Sequence, residues 1–295
     1  MSSGPAGQVT RSFKSPRLET MSRVPSRRFL RTVDGVTIDA AYDPGTDSSG
    51  DLAFIVAHGF TGGLDRPHVR RAAGVLARRG AVVTFSFRGH GRSGGRSTVG
   101  DREVHDLAAA VAWARELGHT RIVTVGFSMG GSVVLRHAAL YGVGSEDGEQ
   151  VPGPEHEGRE GRAEARTDAV VSVSAPARWF YRGTAPMRRV HWLVTRPAGR
   201  IVGRVGLRTR IHHRDWNPVP ASPVECVPRI APTPLLIVHG DRDGYFPVDH
   251  PRMLADASGG HAELWLEHGM GHAENAAPDD LLTRIGGWGA THAGI

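Results

Sequence analysis

Ser128 stands in Gly126-Phe127-Ser128-Met129-Gly130, a G-x-S-x-G pattern. A serine hydroxyl becomes a useful nucleophile only when a base takes its proton and an acid orients that base. The chain has 16 histidines, so a histidine alone says little and position must discriminate. His272 ends Gly269-Met270-Gly271-His272, with His268 four residues earlier as a competing base. The acid falls in Gly240-Asp241-Arg242-Asp243, where Asp241 and Asp243 both qualify. The order along the chain is serine, aspartate, histidine. The chemistry these residue types offer is attack on a carbonyl carbon through a covalent acyl intermediate.

The flanking segments say how such residues would meet. Arg121–Val125 is a short β-branched run that reads as a buried strand, and Gly131–Leu140 reads as a helix. Ser128 is therefore expected on a sharp strand-to-helix turn, between glycines that let the backbone close. The N–H of Met129 then lies at a helix N-terminus, where it can bind a developing oxyanion. Leu235–Val238 and Ala262–Leu266 read as strands ending just before the aspartates and His272. Open α/β sheets place their chemistry at the carboxyl ends of strands, so the three groups can converge.

With these motifs in order, the chain resembles the α/β-hydrolases over about residues 30–142 and 231–290. It is especially similar to bacterial cinnamoyl/feruloyl esterases and to the monoacylglycerol-lipase and serine-aminopeptidase-like group. The residues that carry the likeness are His58-Gly59-Phe60-Thr61-Gly62, Arg88-Gly89-His90-Gly91-Arg92-Ser93 and the serine turn. The resemblance implies that Phe60 supplies a second oxyanion amide beside Met129. It also implies that Asp243, rather than Asp241, is the acid and that His272, rather than His268, is the base. The implied activity is cleavage of a small-molecule acyl or aryl ester by Ser128, Asp243 and His272, with no cofactor and no metal. Peptidase, thioesterase, acyltransferase and perhydrolase chemistry use the same triad, and a ligand-binding scaffold is the non-enzyme alternative. Epoxide hydrolases and haloalkane dehalogenases carry an aspartate where this chain has Ser128. His58, His90 and His239 read as supports for loops, and His212-His213 with Asp215 as a contact rather than a metal site.

The implied fold class is α/β: a mostly parallel central sheet with helices on both faces and an inserted lid. Phe29–Val33 and Val36–Ala41 read as a hairpin around Asp34-Gly35, and Leu52–Val56, Ala81–Phe85 and Ala169–Val173 as further strands. Helices are expected over Arg66–Arg79, Asp101–Leu117, Met129–Tyr141, Val248–Ala257 and Pro278–Ile285. The organisation read from the sequence is a disordered basic tail (1–25), the first half of the core (26–142), an acidic disordered insertion (143–168), one core strand (169–175), an arginine-rich lid (176–229) and the second half of the core (230–295).

Composition narrows the partners. The net charge is +6 from 36 basic and 30 acidic residues, and Lys14 is the one lysine. The charge alone invites nucleic acid, but no nucleic-acid-binding motif accompanies it. The single cysteine, Cys226, permits no intrachain disulfide and fits a cytoplasmic location. Ser26–Arg31 has a passing likeness to a twin-arginine signal but lacks the apolar region that should follow. No stretch is long and apolar enough for a transmembrane helix. Oligomeric state is not legible.

Between Ala169 and His213 there is no Asp or Glu, while nine arginines run from Arg178 to Arg210. Met187–Val194 and Ile201–Leu207 read as two short amphipathic helices broken by Pro197. The expectation is an apolar underside facing the site, with Trp179, Phe180, Trp192 and Leu193 forming an acyl pocket and the arginines facing solvent. Peripheral contact with an acidic membrane surface is the alternative use of that charge.

Overall fold

The computed structural model describes residues 24–46, 50–142 and 163–294. Eight strands are β1 (Ser26–Arg31), β2 (Thr37–Asp43), β3 (Leu52–Ala57), β4 (Ala81–Phe85), β5 (Arg121–Phe127), β6 (Ala169–Val173), β7 (Leu235–Gly240) and β8 (Ala262–Glu267). They form one sheet in the order β1-β2-β4-β3-β5-β6-β7-β8. Pairs β1/β2 and β2/β4 are antiparallel and all others parallel. From β3 the chain steps to β4 on one side and then back across to β5 on the other. The carboxyl ends of β3 and β5 thus flank a topological switch point, where such sheets form a crevice.

The inner strands read as unbroken apolar runs because both faces of the sheet are covered. In β3, Ala53, Ile55 and Ala57 enter one core while Phe54 and Val56 enter the other. This is the two-residue period of a strand serving two layers. The helices that cover it are α1 (Pro67–Leu76), α2 (Glu103–Glu116), α3 (Met129–Tyr141), α4 (Ala185–Thr195), α5 (Pro197–Gly206), α6 (Pro223–Cys226), α7 (Asp249–Ala257), α8 (Ala273–Ala276) and α9 (Asp279–His292).

Most boundaries fall within a few residues of those expected, with one clear exception. The last helix runs to His292 rather than stopping at Ile285. Gly286, Gly287 and Gly289 look like breakers, but two of them are contact points. A Cβ on Gly289 would stand 2.9 Å from the Phe54 ring, and one on Gly286 3.3 Å from Arg79. The glycines let α9 lie close on β3 and α1, and packing overrides their low helix propensity.

The tail 1–25 and the insertion 143–168 fall largely outside the described residues. Where 163–168 is described, it belongs to the core rather than to a disordered insertion. Thr167 and Ala165 are buried, and the Asp168 carboxylate accepts from Ile122 N and Arg115, both at 2.7 Å. A short β-bound stretch is satisfied by backbone bonds that its polar composition conceals.

The 176–229 segment also differs from expectation in one respect. Helix α4 and α5 form, with Pro197 at the first position of α5, where its missing N–H costs nothing. In α5, however, the apolar side chains Ile201, Val202 and Val205 face outward, not toward the site. The segment is tied to the core after α5: Arg210 N donates to Gly89 O and Ser97 N to Arg210 O, each 2.7 Å. Gly89 has φ +77°, and a Cβ there would lie 2.3 Å from Ser97 N. The glycine of Arg88-Gly89-His90 is thus explained by the approach of a second chain segment. Beneath it, the buried Arg88 guanidinium bonds Asp106 on α2 and Asp34 in the first hairpin turn at 2.6–2.9 Å.

Candidate active site

Three loops at the carboxyl edge of the sheet bring Ser128, Asp243 and His272 together. Ser128 follows β5 and precedes α3, with φ 53° and ψ −113°. Such a backbone costs a non-glycine residue about 1–3 kcal/mol and persists only when its surroundings enforce it. The enforcement is visible. Ser128 N donates to Val173 O at 2.8 Å. A Cβ on Gly126 would stand 2.2 Å from Gly130 O, and one on Gly130 2.1 Å from Ala57 O. Both pattern glycines are therefore required by backbone contact, so the small residues of G-x-S-x-G are structural and the serine is what they display.

His272 Nε2 lies 2.9 Å from Ser128 Oγ, and His272 Nδ1 lies 2.7 Å from Asp243 Oδ2. With Nδ1–H donating to the carboxylate, Nε2 is left free to accept the serine proton. Asp243 Oδ1 accepts from Tyr245 N at 2.8 Å and Phe246 N at 3.1 Å. Burial pushes the Asp243 carboxyl up, but the hydrogen bonds from His272 and the Phe246 N–H outweigh burial and hold it below the ordinary aspartate value. The Tyr245 ring stacks on the His272 imidazole with centroids 4.2 Å apart, so one short loop fixes both the acid and the base. His239 Nε2 donates to Phe246 O at 2.8 Å and pins that loop from below.

Asp241 and His268 form a pair of their own. His268 Nδ1 lies 2.7 Å from Asp241 Oδ2, and the His268 side chain is 89% exposed against 15% for His272. Gly269 N donates to Asp241 Oδ1, so this aspartate ties the loop after β7 to the turn after β8 at the surface instead of reaching Ser128.

Phe60 follows β3 on the opposite wall of the switch point, and Met129 N opens α3. Two buried histidines hold the Phe60 loop. His58 Nδ1 donates to Gly59 O at 2.7 Å while its Nε2 accepts from Phe87 N at 3.0 Å. His90 Nδ1 donates to Arg88 O, and its Nε2 accepts from Thr61 N at 3.3 Å. Glu274, which the sequence reading passed over, is buried and accepts from Gly59 N at 3.2 Å. It stands two residues after His272, a spacing that carries no signal of its own. Ala273 between them has φ 56° and donates its N–H to Ser174 Oγ, so one strained turn sends His272 to Ser128 and Glu274 to the Phe60 loop.

A large cleft opens above Ser128 and His272. Trp179, Phe180, Trp192 and Leu193 all lie on its wall. Trp179 and Phe180 both pack on Trp216, with centroids 5.1 and 5.6 Å away. Trp216 Nε1 donates to Thr98 O at 2.8 Å, a tether that aromatic spacing alone did not reveal.

Two buried histidines, His58 on the Phe60 loop and His137 in α3, give an acid-stability prediction. Burial, then the neighbouring His90, depresses His58 to about 3, and burial likewise depresses His137 to about 3. Unfolded, both would take up a proton near the ordinary imidazole value of 6.5. The unfolded state therefore binds more protons below that pH, and stability falls as pH drops toward 3, by about 1.4 kcal/mol per pH unit for each such proton. Asp34, held down to about 2 against its burial by hydrogen bonds from Arg88, contributes its stability in full above the ordinary aspartate value and loses it only as pH falls from there toward 2. Thermal melts should therefore show Tm falling between pH 6.5 and 4.5; a flat Tm across that window would contradict neutral buried imidazoles.

Residues 54–284 match the model of the alpha/beta hydrolase family. The chain is 28% identical to the monoacylglycerol lipase of Mycolicibacterium smegmatis over 92% of its own length and 99% of that protein. It is 32% identical to esterase LipC of Mycobacterium tuberculosis over 52% of this chain and 36% of LipC. Among solved structures, the Pyrococcus furiosus esterase Pf2001 superposes with a TM-score of 0.67 at 22% identity, covering 98% of this chain and 97% of that one. Est1E from Butyrivibrio proteoclasticus, solved with ferulic acid bound, gives 0.57 at 20% identity over 88% and 96%. These two likenesses speak to the fold.

Proposed function

This chain belongs to the alpha/beta hydrolase family, as a hydrolase of the esterase and lipase type, and we propose that it cleaves a small-molecule carboxylic ester through an acyl-enzyme on Ser128. The observation that carries the reading is the continuous Asp243–His272–Ser128 hydrogen-bond chain, 2.7 and 2.9 Å, at the switch point of the sheet. Ser128 Oγ attacks the ester carbonyl carbon as its proton passes to His272 Nε2. The carbonyl oxygen becomes an oxyanion held by the N–H groups of Phe60 and Met129. His272 then returns the proton to the departing alcohol oxygen, leaving the acyl group on Ser128. Water repeats the sequence, giving its proton to His272, and releases the acid. Asp243 stays ionised throughout and supports the imidazolium.

In the same reading, 176–229 is the lid and the apolar wall of Trp179, Phe180, Trp192 and Leu193 receives the acyl chain. The names of the relatives, a monoacylglycerol lipase and esterases, favour an ester over an amide or thioester. Among the described residues no helix is long and apolar enough to cross a membrane. A panel of p-nitrophenyl esters of short to long acyl chains, an aryl ester, a thioester and an aminoacyl amide tests the assignment. Esters should give the highest kcat/KM; a thioester or amide turned over about tenfold faster, a difference of about 1.4 kcal/mol in the barrier, would move the activity to another member of the family's repertoire.

A further inference from the structure

Helix α5 is built inside out. Its apolar residues Ile201, Val202 and Val205 are 65%, 48% and 78% exposed, while the residues it buries are Gly199 and Gly203. The glycines are the contact face. A Cβ on Gly199 would stand 2.4 Å from Trp192 O in α4, and one on Gly203 3.1 Å from the Ile211 side chain. By helical spacing Ile201 and Val205 lie opposite the glycines, with Arg200 and Arg204 on one flank and Val202 on the other. A helix of a water-soluble protein normally turns its apolar stripe inward. The same segment also exposes Phe180, Trp192 and Val219, so the apolar surface is concentrated there and marks a contact with something else.

Charge selects the occupant. No Asp or Glu occurs between Ala169 and His213. Among the described residues no ion pair neutralises any arginine from Arg178 to Arg210. A second copy docked through the same α5 face would bring like-charged arginines against these and be repelled. An anionic lipid surface offers both complements: phosphates for the guanidinium groups and an acyl boundary for the apolar ridge.

We propose that α5 docks on an anionic lipid bilayer, with Ile201, Val202 and Val205 entering the headgroup–acyl boundary and Arg200 and Arg204 on lipid phosphates. The same 176–229 segment walls the cleft above Ser128, so docking sets the cleft beside the membrane surface.

The test is independent of catalysis because it uses the full-length Ser128→Ala chain. The protein is sedimented with large vesicles of phosphatidylglycerol mixed with phosphatidylcholine, and with phosphatidylcholine alone. Binding should require the anionic lipid. Ile201→Ser combined with Val205→Ser should lower the partition constant about tenfold or more, and Arg200→Gln combined with Arg204→Gln should lower it and flatten its salt dependence. Ile201, Arg204 and Val205 are exposed, so the serine pair and Arg204→Gln alone should melt within a few degrees of the parent. Arg200 also donates to Val194 O and Thr195 O at the end of α4, so Arg204→Gln alone, which should also lower binding, guards against a folding effect in the double variant. Failure to bind anionic vesicles, or full binding by the serine pair, would overturn docking through α5. So would sedimentation equilibrium showing a dimer that the serine pair dissociates, since a second copy would then cover the ridge.

Discussion

Asp243→Asn should reduce ester turnover about 10⁴-fold while leaving the fold intact, because the substitution reverses the hydrogen-bond sense at His272. In the wild type, Oδ1 is committed to Tyr245 N and Phe246 N, and Oδ2 receives His272 Nδ1–H. An asparagine keeps its carbonyl oxygen on the two backbone donors, since its amide group cannot accept from them. The NH₂ then faces His272 Nδ1 and turns that nitrogen into an acceptor. The ring proton moves to Nε2, which now donates to Ser128 Oγ and can no longer take its proton. The geometry is unchanged and the tautomer is wrong. Loss should appear in kcat rather than KM, with Tm lowered by little. Asp241→Asn is the matched control: it alters only the surface contacts with His268 and Gly269 N, so turnover should stay within about twofold, as surface substitutions away from the chemistry usually do. Equal losses in the two variants would contradict the assignment of the acid.

Gly130→Ala should abolish both the fold of the serine turn and ester turnover. Its Cβ would stand 2.1 Å from Ala57 O and 2.7 Å from His58 O, both backbone atoms of the strand and loop that carry Phe60. Neither can yield without separating α3 from β3, so the turn that displays Ser128 and the loop opposite it must move together. Overpacking of this kind costs about 1–3 kcal/mol even where side chains can adjust, and here no side chain is available to adjust. The expected result is loss of soluble protein or a Tm drop of many degrees, with no residual ester turnover. Gly74→Ala provides the contrast. Gly74 lies in α1 with no atom within 4 Å of the added methyl, and alanine there should raise stability by up to about 1 kcal/mol through helix propensity. A Gly130→Ala protein that melts and turns over like wild type would mean the serine turn is held by something other than backbone proximity.

The order of strands and helices was legible because period and punctuation carry it. β-branched runs such as Ala169–Val173 are buried on both faces and look it. The serine turn was legible because glycines at 126 and 130 answer to backbone contacts that any chain making that turn must satisfy. The choice between Asp241 and Asp243 was not legible from spacing, since both aspartates lie in one turn. It depends on which carboxylate points into the core, and that is set by Tyr245 N and Phe246 N. Glu274 was invisible for a similar reason: a glutamate after a histidine has no periodic signature, and its role comes from a strained turn at Ala273. The outward face of α5 was misread because its apolar spacing is that of a core helix. What decides the facing is the steric demand at Gly199 and Gly203, a property of the neighbouring helix that composition does not display.

The central claim is that Ser128 is a nucleophile activated by His272. Its most direct test is reaction of the purified protein with a fluorophosphonate, followed by intact-mass and peptide mapping. The account predicts one adduct per chain, on the peptide containing Ser128, absent in Ser128→Ala and greatly slowed in His272→Ala. A folded protein that acquires no adduct, or one that acquires it at another residue, would contradict it.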